Sequence, residues 1–155
     1  MIFNIGVDFG GVLSVDDTKS EHRNTAVDMP DAVKSLQILK EAGHHLFLIS
    51  FCGKSRAIET RKSLEETGIY TLFEAMFFTK KPEYKKYICT HVGCHFMIDD
   101  NEDVLAGVAE TQTIPILFRV DWNSVTSYII SYPFFHRHAA AAGTAMSIDR
   151  LCYLV

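Results

Sequence analysis

Apolar residues gather along this chain in short unbroken runs, and between the runs they recur every three or four positions. The runs predict strands at residues 2–8, at 46–49 ending in Ser50, at 75–78, at 95–98 ending in Asp99-Asp100, and at 114–120. The stretches between them predict helices. Pro30 and Asp31 suit a first turn, Val33, Leu36 and Leu39 form its stripe, and Gly43 is its stop. A second helix is expected over 55–67, with Ala57, Ile58 and Leu64 on its apolar face. A third opens at Pro82 and carries Tyr84, Tyr87 and Ile88. The next covers 101–110, with Val104, Leu105 and Val108 inward, and the last covers 122–131 and is stopped by Pro133. Pro115 puts the start of the fifth strand at a sheet edge. Residues 10–27 are polar and turn-rich, a hairpin or flap beside Asp8.

Strands that do not alternate polar and apolar residues, each followed by a helix, indicate a mostly parallel sheet covered on both faces. The expected class is therefore α/β, a Rossmann-like three-layer sandwich of about five strands. One domain over 1–135 accounts for the pattern. The tail, 136–155, is expected either to dock as a helix or to stay mobile.

Composition changes this picture little. With 155 residues, 48% hydrophobic and 22% charged, the chain is long enough for a proper core, and its composition argues against disorder. A net charge of −4 weighs against broad nucleic-acid or acidic-membrane binding, without speaking to a local basic groove. No apolar run approaches the roughly 20 residues of a membrane span. The N-terminus carries no basic leader before an apolar stretch, so an intracellular, cytoplasmic protein is expected. Cys52, Cys89, Cys94 and Cys152 show no paired spacing, which points to reduced thiols. Cys89, His91, Cys94 and His95 crowd together but straddle a helix end and a strand start, where alternate side chains point apart. Buried thiols and surface histidines are expected there rather than zinc.

The chemistry lies at the strand ends, where open parallel α/β sheets bind their ligands. Four predicted strands end in Asp8, Ser50, Lys80-Lys81 and Asp99-Asp100. An unpaired carboxylate in apolar surroundings costs several kcal/mol, so Asp8, with Gly10 and Gly11 close behind it, has a partner or a task. Oxygen ligands suit magnesium, while a lysine and a hydroxyl suit phosphate oxygens.

In this order, over residues 5 to about 104, the motifs resemble those of the haloacid dehalogenase (HAD) superfamily of aspartate-nucleophile phosphohydrolases. The resemblance implies that Asp8 attacks phosphorus and becomes a phosphoaspartate. Ser50 would donate to the phosphoryl oxygens, and Gly11 would join it in phosphate binding. Lys81, directly before Pro82, would neutralise phosphate charge and steady Asp8, with Lys80 as the alternative. Asp8, the Gly10 carbonyl and Asp100 would hold Mg2+, backed by Asp99 or Asp103. The run from Ile98 to Asp103 looks closest to that of deoxyribonucleotidases, which does not assign a substrate.

Two departures from the family shape the functional expectation. Its phosphatases carry a second aspartate two residues after the nucleophile as general acid and base, and here that position is Gly10. Such groups contribute roughly 10² to 10⁴-fold, so hydrolysis is expected to be slowed unless Asp16, Asp17 or His22 of the flap serves instead. For those three, solvated turn residues are the readier reading. Gly10→Asp is expected to raise turnover by at least about tenfold. The second departure is a missing cap, since ordinary elements fill the chain between Asp8 and Ser50 and between Ser50 and Lys81.

An open site favours a large phosphorylated substrate, such as a phosphoprotein or a nucleic-acid end, or a partner acting as lid. A homodimer would suit the apolar last five residues. Two readings follow: a magnesium-dependent phosphohydrolase, and a HAD-fold pseudoenzyme that binds a protein or a phosphorylated ligand. Gly10 favours the second, and the retention of all four motifs favours the first.

Overall fold

The computed structural model describes residues 1–15, 24–141 and 152–153, with side chains as far as Pro133. Strands and helices alternate along it: β1 (Asn4–Val7), α1 (Ala32–Glu41), β2 (His45–Phe51), α2 (Lys54–Glu66), β3 (Phe73–Thr79) and α3 (Lys85–Val92). They continue as β4 (Phe96–Asp99), α4 (Glu102–Ala109), β5 (Ile114–Leu117), α5 (Trp122–Ala141) and β6 (Cys152–Tyr153). The sheet order is β3-β2-β1-β4-β5-β6, and every pairing is parallel. This is the expected α/β sandwich, with β6 added beside Ile116 and Leu117.

Register decides which face each strand residue meets. Val7 lies opposite Leu48 and Ile98, and the three pack into one core with Leu36 and Leu39 of α1, Leu64 of α2, and Val125 and Ile129 of α5. Gly6 lies opposite Met97, on the other face. There Met97 and Ile49 pack under Cys89 of α3 and Val104, Leu105 and Val108 of α4. Burying each large apolar side chain contributes roughly 1.5–3 kcal/mol, so both faces hold the central strands firmly.

Three expectations are corrected. Pro133 does not stop the last helix, which runs on to Ala141. A proline forfeits a backbone hydrogen bond, but Tyr128 and Tyr132 on the preceding turn pack edge-on against Phe96, and Tyr132 also meets Phe3. That packing holds the chain helical. Ile58 is exposed; α2 buries Leu64 as expected, together with Thr60. The third helix opens at Lys85 and not at Pro82, because Pro82–Tyr84 form a 3-10 turn; Tyr84 therefore lies in that turn, and both it and Tyr87 are exposed.

Pro115 pairs with Met97 of β4, and among the described residues β5 is flanked on its other side by β6, beside Ile116 and Leu117. Of the expected tail, 136–141 continue α5 and 152–153 form β6, while the remainder lies outside the described residues. No helix among the described residues is long and apolar enough to cross a membrane.

Candidate active site

The N–H of Asp8 donates to the Ile98 carbonyl at 3.0 Å, carrying the ladder one residue past β1. Val7 pairs with Ile98, so Asp8 comes level with Asp99, on the face that α3 covers. Asp99 is fully buried and Asp8 nearly so. Two adjacent buried carboxylates repel each other, and a cation between them relieves that cost.

Lys85, the first residue of α3, is that cation. Its Nζ lies 2.9 Å from Asp8 Oδ1 and 2.7 Å from Asp99 Oδ2, and the residue is only 3% exposed. Burial opposes the charge on Lys85, but the two carboxylates outweigh it and hold the ammonium above the ordinary lysine range. Burial, together with repulsion from Asp99, pushes the Asp8 carboxyl up to about 7 in spite of Lys85.

Both oxygens of Asp99 have a partner. Its Oδ2 takes Lys85 and its Oδ1 accepts the Asn101 N–H at 2.9 Å. Asn101 in turn caps α4, accepting from the N–H groups of Asp103 at 2.9 Å and Val104 at 3.2 Å. Asp103 itself is exposed on that first turn, so of the two expected partners only Asp99 stands against the site.

The loop after Asp8 is organised on one carbonyl. Phe9 O accepts from the N–H groups of Val12, Leu13 and Ser14 at 3.2, 2.8 and 3.1 Å. The Trp122 indole N–H donates to Val12 O at 2.8 Å and ties the loop to α5. Gly11 has φ 74°, and a Cβ there would fall 2.0 Å from Asp100 Oδ2. Only glycine meets both demands. Arg119 donates to the Asp100 carbonyl at 3.0 Å and to Glu102 Oε1 at 2.9 Å, which steadies the next strand end.

Asp8, Asp99 and Asp100 offer oxygens that all lie within 4.8 Å of one another. Among the described residues they are the only such group of His, Cys, Asp or Glu. An all-oxygen set fits Mg2+. All three could offer an oxygen to such an ion.

Ser50 is buried near the end of β2, two residues past the Leu48 that pairs with Val7. Lys80 and Lys81 are exposed, and Lys81 Nζ lies 5.8 Å from the centre of the Tyr84 ring. The structure therefore puts Lys85, and neither Lys81 nor Lys80, against Asp8. The 3-10 turn consumes three residues after Lys81, and the first lysine turned toward the sheet is the one that opens α3. The available signal was spacing: Lys85 and Cys89, four apart, share the buried stripe of α3.

Asp16, Asp17 and His22 lie outside the described residues. One further group went unforeseen. The Arg56 guanidinium faces Gly10, with Nη2 3.6 Å from where a Cβ at that residue would stand.

No protein-family model and no curated protein matches the sequence. Solved structures do match in shape. A HAD-superfamily hydrolase from Ehrlichia chaffeensis superposes with TM-score 0.61 at 12% identity, covering 84% of this chain and 98% of that one. A D,D-heptose 1.7-bisphosphate phosphatase from B. bronchiseptica, complexed with magnesium and phosphate, gives 0.59 at 13% identity, covering 74% and 79%. A chain of the Pnkp1/Rnl/Hen1 RNA repair complex gives 0.59 at 16% identity, covering 75% of this chain and 42% of that one. The fold is the HAD fold. In this HAD sheet the three aspartates stand at the carboxyl ends of the two central strands, with Lys85 entering from α3.

Proposed function

We propose that this chain is a magnesium-dependent phosphohydrolase that uses Asp8 as its nucleophile. The observation that carries the reading is the single lysine clamped between Asp8 and Asp99, beside an Asp100 carboxylate held on Gly11. Asp8 Oδ1 is tied to Lys85, which orients the other oxygen for attack on phosphorus. As the Asp8–phosphorus bond forms, the bond to the leaving group breaks. Water then cleaves the phosphoaspartate and releases phosphate. Lys85 takes the role expected of Lys81, neutralising phosphate charge and steadying Asp8, while Asp99 acts only through Lys85. Ser50 donates its hydroxyl to a phosphoryl oxygen, and Gly11 is the backbone contact. Mg2+, held by Asp8, Asp100 and the Gly10 carbonyl, would add positive charge at the phosphoryl oxygens when bound.

Only a loop and α1 separate β1 from β2, and only α2 and a short turn separate β2 from β3. This supports a capless site, open to a phosphorylated macromolecule such as a phosphoprotein or a nucleic-acid end. One fold neighbour belongs to an RNA repair complex, which is compatible with the latter. Gly10, in place of the superfamily's second aspartate, slows the reaction and also supports the alternative reading, a pseudoenzyme that binds phosphorylated ligands.

Turnover of an aryl phosphate with and without Mg2+ separates the two. Magnesium-dependent turnover that Asp8→Asn abolishes is the expected result. A folded protein with no turnover and no beryllium fluoride adduct on Asp8 would leave only the binding role.

A further inference from the structure

The position two residues past the nucleophile has no side chain, and a cation faces the space it leaves. Among the described residues, a Cβ on Gly10 would meet Arg56 Nη2 at 3.6 Å and no other group within 4 Å. Arg56 stands in the first turn of α2, which begins three residues after β2 ends. Its Nη2 makes a long 3.4 Å bond to the Asn24 carbonyl, while Nη1 is buried without a partner among the described residues. No described ion pair includes Arg56. Leaving a buried charged donor unpaired is costly.

We propose that Arg56 contacts the leaving group, and that this site takes phosphoryl donors whose leaving group departs as an anion. Such leaving groups are the carboxylate of an acyl phosphate and the phosphate of a phosphoanhydride. The inference rests on the phosphohydrolase reading above. An alkyl ester expels an alkoxide, which needs a proton from a donor near residue 10. Gly10 has none to give, and a guanidinium stays protonated throughout. What Arg56 offers is fixed positive charge and paired N–H donors shaped for carboxylate or phosphate oxygens. In the step itself an Asp8 oxygen bonds to phosphorus and the bond from phosphorus to the bridging oxygen breaks. The electron pair stays on that oxygen, which leaves unprotonated against Arg56. Water later splits the phosphoaspartate, restoring Asp8 and giving inorganic phosphate with the water's protons passing to phosphate and solvent.

The test compares wild type, Arg56→Lys and Arg56→Ala with Mg2+ on acetyl phosphate, inorganic pyrophosphate and glycerol phosphate. Wild-type kcat/KM should favour acetyl phosphate or pyrophosphate over glycerol phosphate by at least about 100-fold, and the faster of the two identifies carboxylate or phosphate as the preferred leaving group. Arg56→Ala should lose at least about 100-fold on that substrate, a conservative share of what a charge-stabilising arginine supplies. Its loss on glycerol phosphate should be at least about tenfold smaller, with partial recovery in Arg56→Lys on the preferred substrate. A second readout is calorimetric binding of pyrophosphate, which Arg56→Ala should weaken at least tenfold. Should Arg56→Ala prove unfolded, Arg56→Gln carries the same comparison. An active wild type whose Arg56 variants are unchanged on every substrate would overturn the role of Arg56 and leave Asp8 chemistry standing. A wild type inactive on all three phosphates would overturn both.

Discussion

The Asp100 carboxylate rests on Gly11 so closely that a Cβ at residue 11 would stand 2.0 Å from Oδ2. The glycine's φ of 74° adds a second demand against any side chain. Gly11→Ala must therefore strain the loop or displace Asp100, and it does so without removing a ligand. Calorimetry should show Mg2+ affinity reduced at least about tenfold in Gly11→Ala and in Asp100→Ala alike, on the scale at which supporting groups of metal sites act. Wild-type affinity in both variants would take Asp100 out of the site.

Lys85 and Lys81 should behave as opposites. Lys85→Ala leaves two buried carboxylates facing each other without their cation, at a cost of about 3 kcal/mol or more. Urea denaturation should show that loss in Lys85→Ala, whereas the exposed Lys81→Ala should fall within about 0.5 kcal/mol of wild type. Equal effects at the two positions would contradict the clamp.

The Asp8 carboxyl, pushed up to about 7 from 3.8, makes the metal-free protein's stability depend on pH. Its folded value lies above the unfolded one, so the native state holds a proton there that the unfolded chain releases. That contribution is complete below pH 3.8 and is lost as pH rises through about 7. Asp8→Asn removes the titration. In chelator-treated buffer at pH 8 the variant should melt about 5 °C above wild type, with the gap closing toward pH 4. A gap that is constant with pH would show that Asp8 does not titrate in this window.

Gly10→Asp no longer carries the simple expectation of a tenfold gain. Arg56 Nη2 lies 3.6 Å from the new Cβ, so the added carboxylate would pair with it and stay ionised. An ionised carboxylate cannot donate a proton to an alkoxide. Gly10→Asp alone should gain less than about threefold on an alkyl phosphate, and Gly10→Asp with Arg56→Ala about tenfold. A tenfold gain in the single variant would mean that Arg56 does not hold the new carboxylate.

By itself the sequence determined the α/β class, the positions of the strands, and the placing of Asp8, Ser50 and Asp99-Asp100 at or near strand ends. These are local properties. An unbroken apolar run marks a buried parallel strand wherever it occurs, and a polar residue at its end marks the edge of the sheet. The tertiary structure alone decided which lysine meets Asp8. Helix phase is a rotation, and the 3-10 turn after Lys81 set it so that Lys85 and Cys89 face the sheet while Tyr84 and Tyr87 face water. Pro133 shows the same limit, since a local stop signal was outweighed by rings brought from β1 and β4 and their flanks. Arg56 was silent in the sequence for a related reason. It stands 46 positions from Gly10 in the chain, and only the parallel pairing of β1 with β2 sets α2 beside the loop that follows Asp8.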